Sequence, residues 1–262
     1  MLVLAVKLKY SWFPPKHNFL MIITRLLMPS MRVNISRMKN GEGQLSEIYL
    51  DSRARIICPP DLIPAPGQYI LAHARGSDSP LAVPVFFSDS APNGFRSAPF
   101  LPLVWGLGTQ LNLRGPLGHG FSIPAFARKV ALIAFDESPA RLHGLIPIAL
   151  KQDAEVVLVS NMVVDGMPEA VEVQPLQALT DIYQWADYAA LDVARENLHQ
   201  LGEVLGMGRQ AKAPREAQVL VRAPMPCGAL AECGVCALII RREWRMICKD
   251  GPVFDLNSIL GL

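Results

Sequence analysis

Four of the chain's five cysteines fall within its last 36 residues, as Cys227, Cys233, Cys236 and Cys248, spaced C-x5-C-x2-C-x11-C. Three thiolates on one short loop and a fourth further on suit a [2Fe–2S] cluster. The loop's small residues, Gly228, Ala229, Ala231 and Gly234, let backbone wrap closely and aim N–H groups at cluster sulfurs. Such hydrogen bonds help set a potential. Zinc is the first alternative, although structural zinc sites usually pair two short knuckles and only one C-x2-C stands here. A loop without metal is the second. Cys58, in IICPP, is remote from the group and reads as an ordinary buried thiol.

These cysteines need elements to hold them. ALII (237–240) reads as a strand leaving the loop, Arg241-Arg242-Glu243 as a turn, and Trp244–Ile247 as a strand returning Cys248 to its partners. Ahead of this module (223–262), residues 127–222 alternate strand and helix. VALIAF (130–135) and AEVVLVS (154–160) are continuous apolar runs, as in strands buried on both faces. AVEVQP (170–175), DYAALDV (187–193) and QVLVRAP (218–224) are further strands. SPARLHGLIPIAL is expected to be a helix capped by Ser138 with Pro139 at its first position. ARENLHQLGEVLG (194–206) is expected to be a second, ended by Gly206 or Gly208. This half reads as a parallel α/β sheet.

Residues 31–126 differ. RVNISRM (32–38), SEIYLDS (46–52), GQYILAHA (67–74), LAVPVFFS (81–88) and TQLNLRG (109–115) are short segments parted by turn residues, the pattern of an antiparallel barrel or sandwich. Residues 1–30 form an apolar, slightly basic extension without an acid. Lys7, Lys9, Arg25 and Pro14-Pro15 interrupt it, which argues against a signal peptide. Met28 and Met31 are both candidate starts.

Composition narrows the function classes. With 51% hydrophobic and 18% charged residues, disorder is excluded. A net charge of +2 gives no field for a general nucleic-acid binder. No uncharged apolar run is long enough for an ordinary transmembrane helix. G-x-S-x-G, H-E-x-x-H and G-x-x-x-x-G-K-[ST] are missing, so no common hydrolase or P-loop set is present. A reduced cysteine cluster without a secretory signal suits the cytoplasm.

The tail Cys248-Lys249-Asp250-Gly251-Pro252-Val253-Phe254 resembles the end of the electron-transfer subunit of type B dihydroorotate dehydrogenase, a family of ferredoxin-reductase-like flavoproteins. Pro66-Gly67-Gln68-Tyr69 resembles its PGQF/Y turn, and Gly115-Pro116-Leu117-Gly118-His119-Gly120-Phe121 its GPLGNGF segment. The resemblance spans about 31–262. It implies a flavin barrel, a nucleotide-type α/β domain and a small [2Fe–2S] module. FAD would lie between the first two, exchange hydride with NAD(H), and pass single electrons through the cluster to a catalytic dihydroorotate dehydrogenase-like partner. Pro66, Gly67, Gln68, Tyr69, Pro84, Ser88, Gly115, Gly118 and Gly120 are the FAD-site positions it implies.

The sequence also departs from that family. The arginine of the barrel's R-P-x-S-like motif pairs with FAD diphosphate. Val83 stands in its place in Val83-Pro84-Val85-Phe86-Phe87-Ser88, leaving Arg75 or Arg96 as substitutes. The Gly-rich turn after the first α/β strand is replaced by Asp136-Glu137-Ser138-Pro139, whose acids repel phosphate and read better as a helix cap. The later C-G-P motif is replaced by Ala194-Arg195-Glu196. The family's cluster loop reads C-x4-C-x2-C, one residue shorter than here. His119 stands where Asn is usual, either at a flavin edge or facing solvent. The expected role is electron transfer, with a flavin-less one-electron relay or a degenerate scaffold around a metal knot as alternatives.

Overall fold

Each short strand with one apolar face must bury that face. In the computed structural model, which describes residues 38–162, 166–206 and 216–260, six strands do so by closing a barrel. They are β1 (Lys39–Ile48), β2 (Ala54–Ile57), β3 (Tyr69–Ala74), β4 (Val83–Ala91), β5 (Gly94–Ser97) and β6 (Gln110–Leu117). Their order is β1-β2-β5-β4-β3-β6, every pairing antiparallel, with β6 closing on β1. Alternation is cleanest in β6, where Leu111, Leu113 and Leu117 point inward. Leu111 and Leu113 meet Ile56, Ile70, Val85, Phe87 and Phe95, whereas Leu117 joins Tyr69, Leu71 and Phe86 in the core shared with the sheet.

The continuous apolar runs become a parallel sheet: β7 (Lys129–Ala134), β8 (Glu155–Val159), β9 (Val171–Gln174), β10 (Tyr188–Ala194) and β11 (Glu216–Arg222). The order is β14-β11-β10-β7-β8-β9, with β14 (Val253–Asp255) antiparallel at one edge. Both faces of β7 are covered. Ala131 and Ile133 face one core, which includes Tyr183 and Leu201, while Val130, Leu132 and Ala134 face another, which includes Leu142 and Ile146. Burial on both faces is why polar alternation is lost in this half.

Two expectations change. SPARLHGLIPIAL is two 3-10 turns, Pro139–Arg141 and His143–Leu145, followed by the short helix α1 (Ile146–Lys151). Pro147 has no N–H to give to the turn before it, and Gly144 lies so close to the Phe87 ring that no side chain fits. The strand read over 46–52 stops at Ile48. Tyr49 and Arg53 close a turn (Tyr49 N to Arg53 O, 2.9 Å), Ser52 takes φ 63°, and the Asp51 carboxylate accepts from Arg53 N at 3.1 Å.

Helices α2 (Leu179–Trp185) and α3 (Leu198–Val204) cover the sheet, and Gly206, at φ 65°, follows the end of α3. Beyond β11 come the hairpin β12 (Ala237–Ile240) and β13 (Glu243–Met246), the turn α4 (Ile247–Asp250), β14 and α5 (Leu256–Leu260). The extension 1–30, Gly208 and, apart from Met38, the strand expected over 32–38 lie outside the described residues. Among the described residues, no helix is long and apolar enough to cross a membrane.

His143 packs where the turns meet the barrel and is only 9% exposed. Its Nδ1 lies 3.4 Å from the Arg53 guanidinium, a contact that only a neutral ring can accept. Burial first, then Arg53, push its pKa down from 6.5 to about 4, against weaker pulls from Asp89 and Asp51. The unfolded chain therefore takes up this proton first, and stability present above pH 6.5 is lost as pH falls toward about 4. Denaturant melts across this range are expected to show the wild type losing its stability advantage over His143→Gln as pH drops.

Candidate functional site

The cysteine loop is pressed onto the barrel. Gly228 N donates to Met225 O at 3.1 Å and Leu230 N to Cys227 O at 2.9 Å, with Gly228, Ala229 and Gly234 at φ 49°, 66° and 75°. A Cβ on Gly228 would overlap the Leu71 side chain. Arg241 and Arg242, at φ 50° and 69°, form the tip of the expected hairpin, in which Ile239 pairs with Trp244. Ile247 N then donates to Cys236 O at 3.0 Å, bringing Cys248 back beneath the loop.

The four sulfurs form two adjoining pairs. Cys227 and Cys233 have Sγ atoms 3.4 Å apart, and the Cys227 thiol also reaches Ala231 O at 3.0 Å. Cys236 and Cys248 are buried and hydrogen-bonded to each other. The Ala229 backbone hydrogen-bonds both Cys227 and Cys248. Burial, then the neighbouring Cys236, push the Cys248 thiol up to about 12. At Cys227 burial acts the same way but is outweighed by hydrogen bonds from Ala231, Cys233 and Ala229, which bring it down to about 7. Among the described residues, no three His, Cys, Asp or Glu side chains converge as a metal-holding group. The donor chemistry of four thiols still suits an iron–sulfur centre. Cys58 is separate, buried in the barrel.

The PGQY turn, the GPLGHGF segment and the tail meet behind this loop. His119 N donates to Gly251 O at 2.6 Å, and its exposed ring lies 2.9 Å from Asp250 O through Nδ1. Gln68 Nε2 donates to Gly118 O at 3.0 Å, and Phe121 N to Pro66 O at 2.9 Å. Tyr69 Oη donates to Cys248 O at 2.8 Å. Gly118, at φ 76°, would place a Cβ 2.6 Å from Gly251 O, and a Cβ on Gly120 would lie 2.6 Å from Pro66 O. Gly67 likewise abuts Val253 and Phe121, and Gly115 abuts Ile70. These glycines therefore let segments of this chain touch one another.

A second constellation fills the crevice outside the carboxyl ends of β7, β10 and β11. The strand order reverses between β7 and β10, so this is where an open α/β sheet binds its ligand. Arg222 pairs with Asp136, with Glu137 at 2.6 Å and with Asp192 at 2.7 Å. Arg141 lies 3.3 Å from both Glu137 and Asp192 and donates to Pro99 O of the barrel at 2.8 Å. The second oxygen of Asp136 accepts from Ala194 N at 2.8 Å and Asn197 Nδ2 at 2.7 Å. Burial pushes Asp192 up to about 6 against the pull of Arg141, and pushes Arg222 down to about 10. Ser138 caps as expected, accepting from Ala140 N at 3.3 Å. Asp136 and Glu137 instead serve as ion-pair partners.

Above this network a groove of about 390 Å³ separates barrel from sheet, lined by Pro84, Phe86, Pro99, Phe100, Arg141 and Arg222 among others, within the usual range of small-molecule sites. Phe86 has the Arg141 guanidinium 5.6 Å from its ring centre, and the Tyr69 ring 5.6 Å away on the barrel side. Ser88 is fully buried and its hydroxyl finds no hydrogen-bond partner in the protein. Neither substitute arginine reaches the groove lining: Arg75 pairs with Glu42, and Arg96 with Asp89. The groove has room for a small molecule and is apolar along Pro84, Phe86, Pro99 and Phe100. It does not present the free guanidinium that FAD diphosphate takes in the family.

No family model matches the chain. Solved structures do. An NADH-dependent reduced ferredoxin–NADP oxidoreductase, studied for flavin-based electron bifurcation, overlays at TM-score 0.65 and 16% identity, over 83% of this chain and 89% of its own. An Amycolatopsis cytochrome P450 reductase overlays at 0.53 and 14%, over 70% and 69%. The ferredoxin reductase of carbazole 1,9a-dioxygenase overlays at 0.52 and 15%, over 66% and 64%. The fold is that of the ferredoxin reductases. The antiparallel barrel and the α/β sheet are the shared parts.

Sequence reasoning names the four cysteines and the acids after β7. Local pattern does not single out Arg141, Asp192 and Arg222, although a charged residue inside an apolar strand, as in DYAALDV and QVLVRAP, is the signal for the last two. Removing one partner from a buried ion network strands the others, at about 3–5 kcal/mol. An exposed pair such as Arg245–Glu243 contributes about 0–1 kcal/mol. Equilibrium unfolding is therefore expected to show Arg222→Ala strongly destabilised and Arg245→Ala close to wild type.

Proposed function

We propose that the chain is an electron-transfer component whose carrier is a [2Fe–2S] centre held by Cys227, Cys233, Cys236 and Cys248, serving a separate catalytic oxidoreductase. What supports this reading is the C-x5-C-x2-C-x11-C spacing together with two thiol pairs, Cys227 with Cys233 and Cys236 with Cys248, that adjoin the Ala229 backbone through Cys227 and Cys248, on a loop braced by the barrel. When bound, such a centre supplies a one-electron carrier. The protein's part is to shield and to orient. Cys236 and Cys248 lie out of water, whereas Cys233, Leu230 and Val235 are exposed and offer the partner a face. The Ala229 amide is available to sulfur, the kind of hydrogen bond that tunes a potential.

The ferredoxin-reductase fold supports an electron-transfer role in general. The tail and the GPLGHGF segment favour a dihydroorotate dehydrogenase-like catalytic subunit as partner. A flavin ring in the groove beside Phe86 would be a second carrier. The missing guanidinium at Val83 favours the flavin-less relay over full FAD binding.

Anaerobic purification with an absorbance spectrum and iron, sulfide and flavin analysis tests this. About two irons and two sulfides per chain are expected, lost in Cys236→Ser and kept in Cys58→Ser. One flavin per chain would establish the flavin-bearing form. Zinc in place of iron would overturn the proposal, and a chain with neither metal nor flavin would leave the scaffold.

A further inference from the structure

We propose that the dinucleotide crevice of this fold has become an internal latch, so that the chain takes no hydride from NADH or NADPH and is charged by a one-electron donor. This rests on the electron-transfer reading above and specifies its reductant.

Four features of the crevice oppose a dinucleotide. Backbone N–H groups at a helix N-terminus are what bind a diphosphate there. Here the element after β7 is a three-residue 3-10 turn whose first residue, Pro139, has no N–H, while Ala140 N is taken by Ser138. Next, no glycine stands between Ala134 and Leu142, so the chain has no close-approach surface of the kind a dinucleotide needs. Third, Arg222 and Arg141, the two cations in the crevice, are already bound to Asp136, Glu137 and Asp192. Three carboxylates against two guanidinium groups leave an excess of negative charge, while Glu196 on the rim is paired with Arg195. Finally, Asp136 holds Ala194 N and Asn197, closing the strand end where the family keeps its nicotinamide-side motif.

The network has a structural purpose of its own. Arg141 reaches across to the barrel through Pro99 O and the Phe86 ring, and Arg222 gathers the ends of β7 and β10 onto β11. A ligand that opened the crevice would have to strand buried charges, a cost of several kcal/mol per ion. The remaining chemistry at the cysteines is a one-electron exchange. One electron arrives from a donor of that class, and neither a proton nor a hydride needs a site.

The test uses anaerobic, iron-loaded full-length protein. NADH and NADPH are titrated to about 5 mM, above the usual span of KM values up to ~1 mM, with binding read by calorimetry and reduction by bleaching of the visible spectrum. Reduced methyl viologen, a one-electron donor, is run alongside. No saturable heat, no bleaching by either nucleotide and complete bleaching by the viologen are expected. Saturable binding of NADH or NADPH, or bleaching by either, overturns the latch. Failure of the viologen to bleach the protein defeats the electron-carrier reading instead, while calorimetry still judges the latch alone.

Discussion

Arg222 stands where water scarcely reaches, and a lone guanidinium there would not be tolerated. Its stability depends on three carboxylates from two different strand ends arriving at the same point. That requirement fixes the register of β7, β10 and β11 at their carboxyl ends, since Asp192 and Ala194 must sit level with Leu220 and Arg222. Arg141 extends the same requirement to the barrel through a carbonyl of Pro99. The orientation of the barrel against the sheet follows from satisfying these charges as much as from apolar packing.

The opposite end of the seam is held without ion pairs, by hydrogen bonds to backbone carbonyls. His119, Gln68 and Tyr69 give hydrogen bonds to carbonyls of Gly251, Gly118 and Cys248. This works because Gly118 and Gly120 have no Cβ to hold the strands apart. Three segments that look like cofactor motifs in the sequence are, in space, the joint that keeps the cysteine loop on the barrel. A single apolar core runs through it, from Leu71 and Leu117 of the barrel past Cys236 and Cys248 to Val219 and Leu220 of the sheet.

Much of this was legible because it follows local rules. VALIAF and AEVVLVS are apolar on both faces, so the parallel sheet could be read from them. The hairpin at Arg241-Arg242 follows from two strands that flank a turn. The four cysteines were legible because clustering of that residue type is improbable without a shared purpose. Other parts were hidden for physical reasons. β2 and β5 have four residues each, too short to display alternation. The segment after Ser138 has helical spacing, yet Pro147 and the contact of Gly144 with Phe87 break it, and neither the ring contact nor its partner strand is visible locally. The Arg222 network joins residues up to 86 positions apart only through the sheet register, so no window along the chain contains it.

The bond from Tyr69 to Cys248 spans 179 residues. In terms of assembly, this means the cysteine loop docks well after the barrel strand that receives it has emerged. A chain emerging amino-terminus first can lay down most of the barrel early, but the partner for Tyr69 and the strand that shields Val219 and Leu220, β14, arrive only with the final residues. Contacts of such separation are slow to form. The binding loop therefore closes late, together with β14, onto barrel and sheet strands laid down earlier.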